Sequence, residues 1–175
     1  VELNEANFEY DIHSLVKAFY PGHDVLVKAQ PRENFPDSLF HLTVCYGEKE
    51  ILFTFYRGSQ WDAEEAPWTG SENDAADPAK FLLQGTVQVN PAERRETKDC
   101  LKRRLYQLLS EFSGQILPWG TLTGIRPTKI PMIMLEEGCT EDEIRAHMRE
   151  SYFTSDEKIE LSIDVAKREL ELLSR

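Results

Sequence analysis

The chain has 175 residues, of which 41% are hydrophobic and 29% charged, and its formal net charge at pH 7 is −11. This length suits one domain or slightly more, and it can bury a core without disulfides. The negative charge argues against a protein that holds nucleic acid on a broad basic surface, and no apolar run is long enough to cross a bilayer.

The first 60 residues predict an α+β part with one helix and a small, mainly antiparallel sheet. The helix is indicated by apolar residues at the spacing i, i+3, i+4, i+7, namely Ile12, Leu15, Val16 and Phe19. Pro21 and Gly22 end it, and a strand is expected through Val25 and Val27. Alternating residues from Phe40 to Tyr46 and an apolar run over 51–56 then predict a hairpin.

Residues 61–90 are predicted to be an acidic connector with a possible extra strand. The stretch from 58 to 80 contains six acidic residues, two prolines and two glycines, and it shows no apolar periodicity. The following segment FLLQGTVQV, residues 81–89, fits either a fourth strand or a lead-in to the next helix.

Residues 91–175 predict a mostly helical part. A first helix is expected after Asn90 as its cap, with Pro91 in its first turn, an apolar stripe from Leu101 to Phe112, and Gly114 as its end. Arg94, Lys98 and Lys102 recur every four residues away from that stripe and form a candidate basic face.

Three shorter helices are expected after residue 128. The segment TKIPMIMLEEG predicts a short helix that Gly138 closes, with Pro131 tolerated in its first turn. Thr140 and Glu143 form a capping box for a helix over roughly 140–150. The last helix starts near Thr154 or Ser155, and its apolar stripe runs from Ile159 to Leu173.

The stretch LPWGTLTGIRPTKIP, residues 117–131, is the candidate site. Arg126 precedes Pro127 and is pushed toward an extended conformation, so a helix begins near Thr128. Helix amides, the helix dipole and two cations would favour an anion there, such as a carboxylate or a phosphate. The alternative is a tight, proline-braced connector plugged by Trp119. The candidate anion-binding residues are Gly124, Arg126, Thr128 and Lys129.

Neither a catalytic residue nor a metal ligand is predicted. None of the four histidines stands in a ligand pair, and no phosphate-binding or nucleophile motif occurs. Cys45, Cys100 and Cys139 match no metal or redox spacing, and their odd number argues against a disulfide framework. A reducing, cytoplasmic compartment is therefore expected.

Three stretches carry a family resemblance: RRLYQLLSEFSG, LPWGTLTGIRPTKI and SDEKIELSIDVAKREL. They resemble the N-terminal region of HemZ-type oxygen-independent coproporphyrinogen III oxidases of the radical SAM superfamily, best over about 100–170. In that family a radical SAM barrel follows, whose C-x-x-x-C-x-x-C motif holds a [4Fe–4S] cluster that cleaves S-adenosylmethionine.

The resemblance implies an N-terminal accessory domain of such an enzyme, without cofactors or activity of its own. Its expected partners are the radical SAM domain and a carboxylate-rich tetrapyrrole, and no membrane is expected. The alternative is a non-catalytic interaction module, which would bind a protein or nucleic acid through residues 91–129. That segment holds eight Lys/Arg against four Asp/Glu within an acidic chain.

Overall fold

The computed structural model describes residues 1–29, 38–58, 81–90, 92–124 and 126–173. The chain divides into two compact units, Val1–Gln115 and Ile116–Arg175. Within these ranges, a five-stranded sheet and five helices confirm the predicted α+β class. The long helix after residue 90 lies in the first unit, with the sheet. Residues 61–80 of the predicted connector lie outside the described residues, so the divisions at 60 and 90 stay predictions.

The first unit contains a mixed sheet with the order β2-β1-β3-β4-β5. Its strands are β1 (Glu2–Leu3), β2 (Lys28–Ala29), β3 (Phe40–Tyr46), β4 (Glu50–Arg57) and β5 (Phe81–Gln88). Strands β3, β4 and β5 are antiparallel, whereas β1 runs parallel to both of its neighbours.

The hairpin is confirmed, and the ambiguous segment after residue 80 is a strand. The strand predicted through Val25 and Val27 is wrong by a few residues, because among the residues described up to Ala29 it is Lys28 and Ala29 that pair with β1. Strand β1 was not predicted. Its two residues are too few to display the alternation by which a strand is recognised.

The first unit also contains the helices α1 (Glu9–Phe19) and α2 (Arg94–Ser113); α2 packs against β5, and α1 packs against α2. The buried face of α1 comprises the four predicted residues, which confirms the period of 3.6. Helix α2 approaches β5 so closely that a Cβ atom on Gly85 would lie 2.7 Å from the Leu108 side chain. A larger residue at this mid-strand position would force the Leu108 side chain to move, so helix packing favours glycine there.

The predicted start of α2 is wrong. The helix begins at Arg94 with Glu93 as its N-cap residue, and no side chain caps it. Asn90 instead closes a turn before the helix, where its side chain accepts a hydrogen bond from the Ala92 amide at 3.2 Å. The predicted end is confirmed, since Gly114 adopts a left-handed conformation with φ of 68°.

The second unit contains three helices, α3 (Lys129–Glu136), α4 (Glu141–Tyr152) and α5 (Asp156–Leu173). They enclose an apolar core of Leu122, Ile144, Met148, Ile159 and Ile163. The capping box of α4 is confirmed: Thr140 and Glu143 exchange hydrogen bonds in both directions. Among the described helices, none has both the length and the hydropathy of a membrane-crossing segment.

Candidate functional site

The first half of the 117–131 stretch is hydrogen-bonded through its backbone to the turn between α4 and α5. The Thr121 amide donates to the Tyr152 carbonyl at 2.8 Å, and the Ser155 amide donates to the Pro118 carbonyl at 2.9 Å. Gly120 has φ of +57°, and a Cβ atom there would lie 1.8 Å from the Tyr152 carbonyl oxygen. This half therefore serves as a structural connector, as the alternative interpretation of the sequence proposed.

Trp119 belongs to the same connector. Its half-buried ring packs against the apolar core of the second unit, and the Lys158 ammonium lies 5.9 Å from the ring centroid. That distance is within the range of a cation–π interaction. Packing thus accounts for the tryptophan, in agreement with the connector interpretation of the stretch.

The second half, Gly124–Lys129, leads into helix α3. Gly124 is exposed with φ of +71°, and Thr128 is the N-cap residue without a capping side-chain bond. The Lys129 amide donates to the Arg126 carbonyl, and the Ile130 amide to the Pro127 carbonyl, each at 3.2 Å.

These hydrogen bonds change the chemistry expected at the start of α3. Two of the first amides already have backbone partners, and the next helical residue, Pro131, has no N–H. The backbone at the start of α3 therefore offers an anion fewer free N–H donors than a helix N-terminus without such partners would. An anion here would depend mainly on the side chains of Arg126 and Lys129, both of which are exposed.

The Arg126 guanidinium is oriented by α5. Its Nη2 atom lies 3.5 Å from Glu169 Oε2 and 3.8 Å from the Met132 sulfur, and the Arg126 side chain is 59% exposed. The same Glu169 oxygen is buried and lacks a hydrogen bond within the described part of the chain. A ligand carboxylate at Arg126 would therefore compete with Glu169, a residue that sequence reasoning missed.

The predicted basic face on α2 belongs to the first unit, whereas Arg126 belongs to the second. Arg94 places its guanidinium 4.7 Å from the Phe8 ring centroid and donates to Asn7 Oδ1 at 3.4 Å. Lys102 Nζ lies 3.8 Å from Asp11 Oδ1 on α1, and burial lowers the pKa of Lys102. Arg94 and Lys102 thus have partners within their own unit, whereas Lys98 is half-buried on the same helix.

Metal binding has no visible basis in the described ranges. They contain no group of three or more His, Cys, Asp or Glu side chains that could hold a metal ion. The three cysteines are free thiols; Cys45 is exposed, and Cys100 and Cys139 are half-buried.

The described residues thus form an α+β protein of two compact units. The second unit carries two exposed cations, Arg126 and Lys129, which we call the basic corner. Part of the chain is 33% identical over 76 residues to the oxygen-independent coproporphyrinogen-III oxidase-like protein HemZ of Bacillus subtilis (strain 168). The match covers 43% of this chain but only 15% of that protein. No family model and no solved structure matches the chain.

Proposed function

We propose that this chain is the N-terminal accessory domain of a HemZ-like radical SAM coproporphyrinogen III oxidase, an enzyme of porphyrin and haem biosynthesis. The observation that carries the proposal is the partial sequence similarity to HemZ. The family resemblance of the stretches around 103–114, 117–130 and 155–170 supports the same assignment.

In this role the chain has no redox chemistry of its own and docks on the catalytic barrel. The [4Fe–4S] cluster and S-adenosylmethionine belong to that barrel in the family that the chain resembles. A cluster of this kind needs three closely spaced thiolates. Cys45, Cys100 and Cys139 are separated by 55 and 39 residues along the chain, which does not fit the family's cluster motif.

The proposal includes contact between the basic corner and the propionate carboxylates of a tetrapyrrole. Arg126 and Lys129 supply the charge, while Gly124 and Thr128 shape the backbone beside them. A guanidinium can bind a carboxylate with two parallel hydrogen bonds, and such charge-assisted bonds are roughly twice as strong as neutral ones. The exposure of Arg126 and its long ion pair leave donors available for a second carboxylate.

Binding of coproporphyrin III, a stable tetracarboxylate, tests the proposal. Fluorescence titration of the chain should give saturable binding that the tetramethyl ester of the porphyrin does not reproduce. Arg126→Ala and Lys129→Ala should each weaken binding about three- to tenfold, since one exposed charge contributes about 1 kcal/mol. Arg57→Ala removes an exposed cation from the first unit and should leave affinity unchanged.

Docking requires a separate measurement with the catalytic part of the enzyme. The isolated chain, added in trans to a catalytic part that lacks it, should bind that part and restore oxidase activity. Equal porphyrin affinity in wild type and both corner variants would remove the substrate contact from the proposal. Failure to bind the catalytic part would remove the accessory role.

The alternative is an interaction module that binds a protein or nucleic acid through residues 91–129. Its support is weaker because Arg94 and Lys102 are engaged by Phe8, Asn7 and Asp11. Tight, salt-sensitive binding of an oligonucleotide, together with no porphyrin binding, would favour this alternative.

A further inference from the structure

A cleft of about 440 Å³ opens in the first unit, at the end of the sheet where β3 turns into β4. The N-terminal segment, the β3–β4 turn, the end of β5 and the first turn of α2 surround it. Its apolar walls are Phe8, Tyr46, Ile51 and Val89. Glu5, Glu48 and Arg94 supply its charged groups. All of these residues belong to the first unit, whereas Arg126 and Lys129 belong to the second.

The N-terminal wall of this cleft is held in place by side-chain hydrogen bonds. The Asn4 side chain bonds both backbone groups of Tyr46: its amide donates to the carbonyl at 3.0 Å, and its oxygen accepts from the amide at 2.7 Å. The Tyr46 hydroxyl donates to the Asn7 carbonyl at 2.6 Å. Phe8 next to it has φ of 55°, an unusual conformation for a residue with a large side chain. The wall is therefore preformed.

The charge of the cleft is negative. Arg94 is engaged by the Phe8 ring at 4.7 Å and by Asn7, and it therefore forms part of the wall. Glu5 and Glu48 are exposed and outnumber it. Burial raises the pKa of the Tyr46 hydroxyl, and three neighbouring carboxylates raise it further against the opposing effect of Arg94. An anion entering the cleft would meet net repulsion.

We propose that this cleft receives a lysine or arginine side chain presented by a partner polypeptide. The aliphatic stem would lie on the apolar walls, and the cationic head would reach Glu5 and Glu48. Long basic side chains commonly divide in this way between apolar and polar surroundings. A carboxylate side chain is disfavoured by the two glutamates, and a purely apolar one would not use their charge; the Glu5 carboxylate already accepts a hydrogen bond from the Asn7 side chain at 3.0 Å, which fixes its position at the cleft. The inference goes beyond the proposed function, which concerns an anion at Arg126.

Nuclear magnetic resonance titration of the ¹⁵N-labelled chain tests this inference. The probes are the N-acetyl, N-methylamide derivatives of lysine, arginine, norleucine and glutamate. The lysine and arginine derivatives should produce saturable shifts at the amides of Asn7, Phe8, Tyr46 and Glu48. The norleucine derivative has the same stem without the charge and should bind at least about threefold more weakly, and added salt should reduce this difference.

Charge-neutral variants locate the contact. Glu48→Gln should weaken binding of the lysine derivative about three- to fivefold, because an exposed ion pair contributes modestly. Glu111→Gln is the matched control: it makes the same charge change on an exposed residue of α2, about 25 Å along the helix from Arg94.

Several results would overturn the inference. These are shifts that do not saturate, equal affinity for the norleucine or glutamate derivative, and equal losses in Glu48→Gln and Glu111→Gln. Binding of free cadaverine without binding of the lysine derivative would also overturn it, because the occupant would then be a small diamine. None of these results depends on porphyrin binding at Arg126.

Discussion

Gly120→Ala should destabilise the second unit far more than an ordinary glycine substitution does. The added Cβ atom would lie 1.8 Å from the Tyr152 carbonyl oxygen and 2.7 Å from two backbone atoms of Phe153. These neighbours are backbone atoms in the turn between α4 and α5, so no side-chain rotation relieves the overlap. The connector and the turn must separate instead.

The magnitude follows from two contributions. A left-handed conformation costs an alanine about 1–2 kcal/mol relative to glycine. To restore a contact of at least about 3.0 Å, the turn must also retreat from the connector, which breaks the 2.8 Å bond from the Thr121 amide. Leaving such a buried donor unsatisfied costs about 1–3 kcal/mol. The expected total is about 4 kcal/mol.

Gly138→Ala supplies the matched control. Gly138 has φ of +83°, but a Cβ atom there would meet nothing within 4 Å. Its substitution should therefore cost only the conformational term, about 1–2 kcal/mol. The difference between the two variants isolates the overlap with Tyr152 from the backbone strain that both share.

Urea unfolding followed by Trp119 fluorescence measures both variants. Trp61→Phe and Trp68→Phe form the common background, so that the signal comes from the second unit alone. If Gly120→Ala lowers the free energy of unfolding no more than Gly138→Ala does, the connector does not pack tightly against the turn between α4 and α5. The packing explanation for the first half of the 117–131 stretch would then fail.

Three further predictions concern the second unit. Thr140→Ala should cost about 1 kcal/mol in urea unfolding because it removes the cap of α4, whereas Thr128→Ala, which removes no capping bond, should cost less than half as much. Hydrogen bonds from Lys167, from the Thr140 backbone and from Arg145 lower the pKa values of Glu141, Glu143 and Glu160 respectively. Because the pKa values in the folded state lie below the ordinary 4.5, this stabilisation is complete above pH 4.5 and is lost as the pH falls below it. Glu160→Gln should therefore reduce the loss of stability at acidic pH. An unchanged loss would contradict the stabilisation of the Glu160 carboxylate by Arg145. Glu169→Gln should raise the affinity for coproporphyrin III about threefold by releasing Arg126, and Arg126→Ala should abolish that gain; an unchanged affinity would show that Glu169 does not compete.

Periodic patterns predicted most of the fold because they reflect burial on one face of an element. The stripe of α1, the alternation of β3 and the first part of the α5 stripe, from Ile159 to Ala166, were visible for that reason. The predicted end of the α5 stripe is wrong, because Leu173 is exposed. Strand β1 was invisible because two residues carry no period, yet it adds the parallel pairs of the sheet. The start of α2 was misplaced because Asn90 has the chemistry of a cap and uses it in a preceding turn.

The electrostatic partners could not be predicted, because they join residues that are distant in sequence. Asp11 on α1 pairs with Lys102 on α2, and Arg126, which precedes α3, pairs with Glu169 on α5. Glu169 stands beside the apolar stripe of α5, at a position typical of a solvated helix border. Only the packing of α3 against α5 brings that carboxylate to the corner.

These contacts decide which residues of the 117–131 stretch still call for a functional explanation. Packing accounts for Trp119 and Gly120, and the turn before α3 accounts for the left-handed Gly124. The ion pair with Glu169 is one reason for a cation at position 126, and it would remain a reason even if no ligand bound there. Lys129 is exposed, and within the described residues its ammonium has neither a hydrogen bond nor an ion pair. Lys129→Ala therefore removes a positive charge without breaking an ion pair of the described residues, whereas Arg126→Ala also removes the partner of Glu169, so Lys129→Ala discriminates more sharply between an anion site and a braced connector.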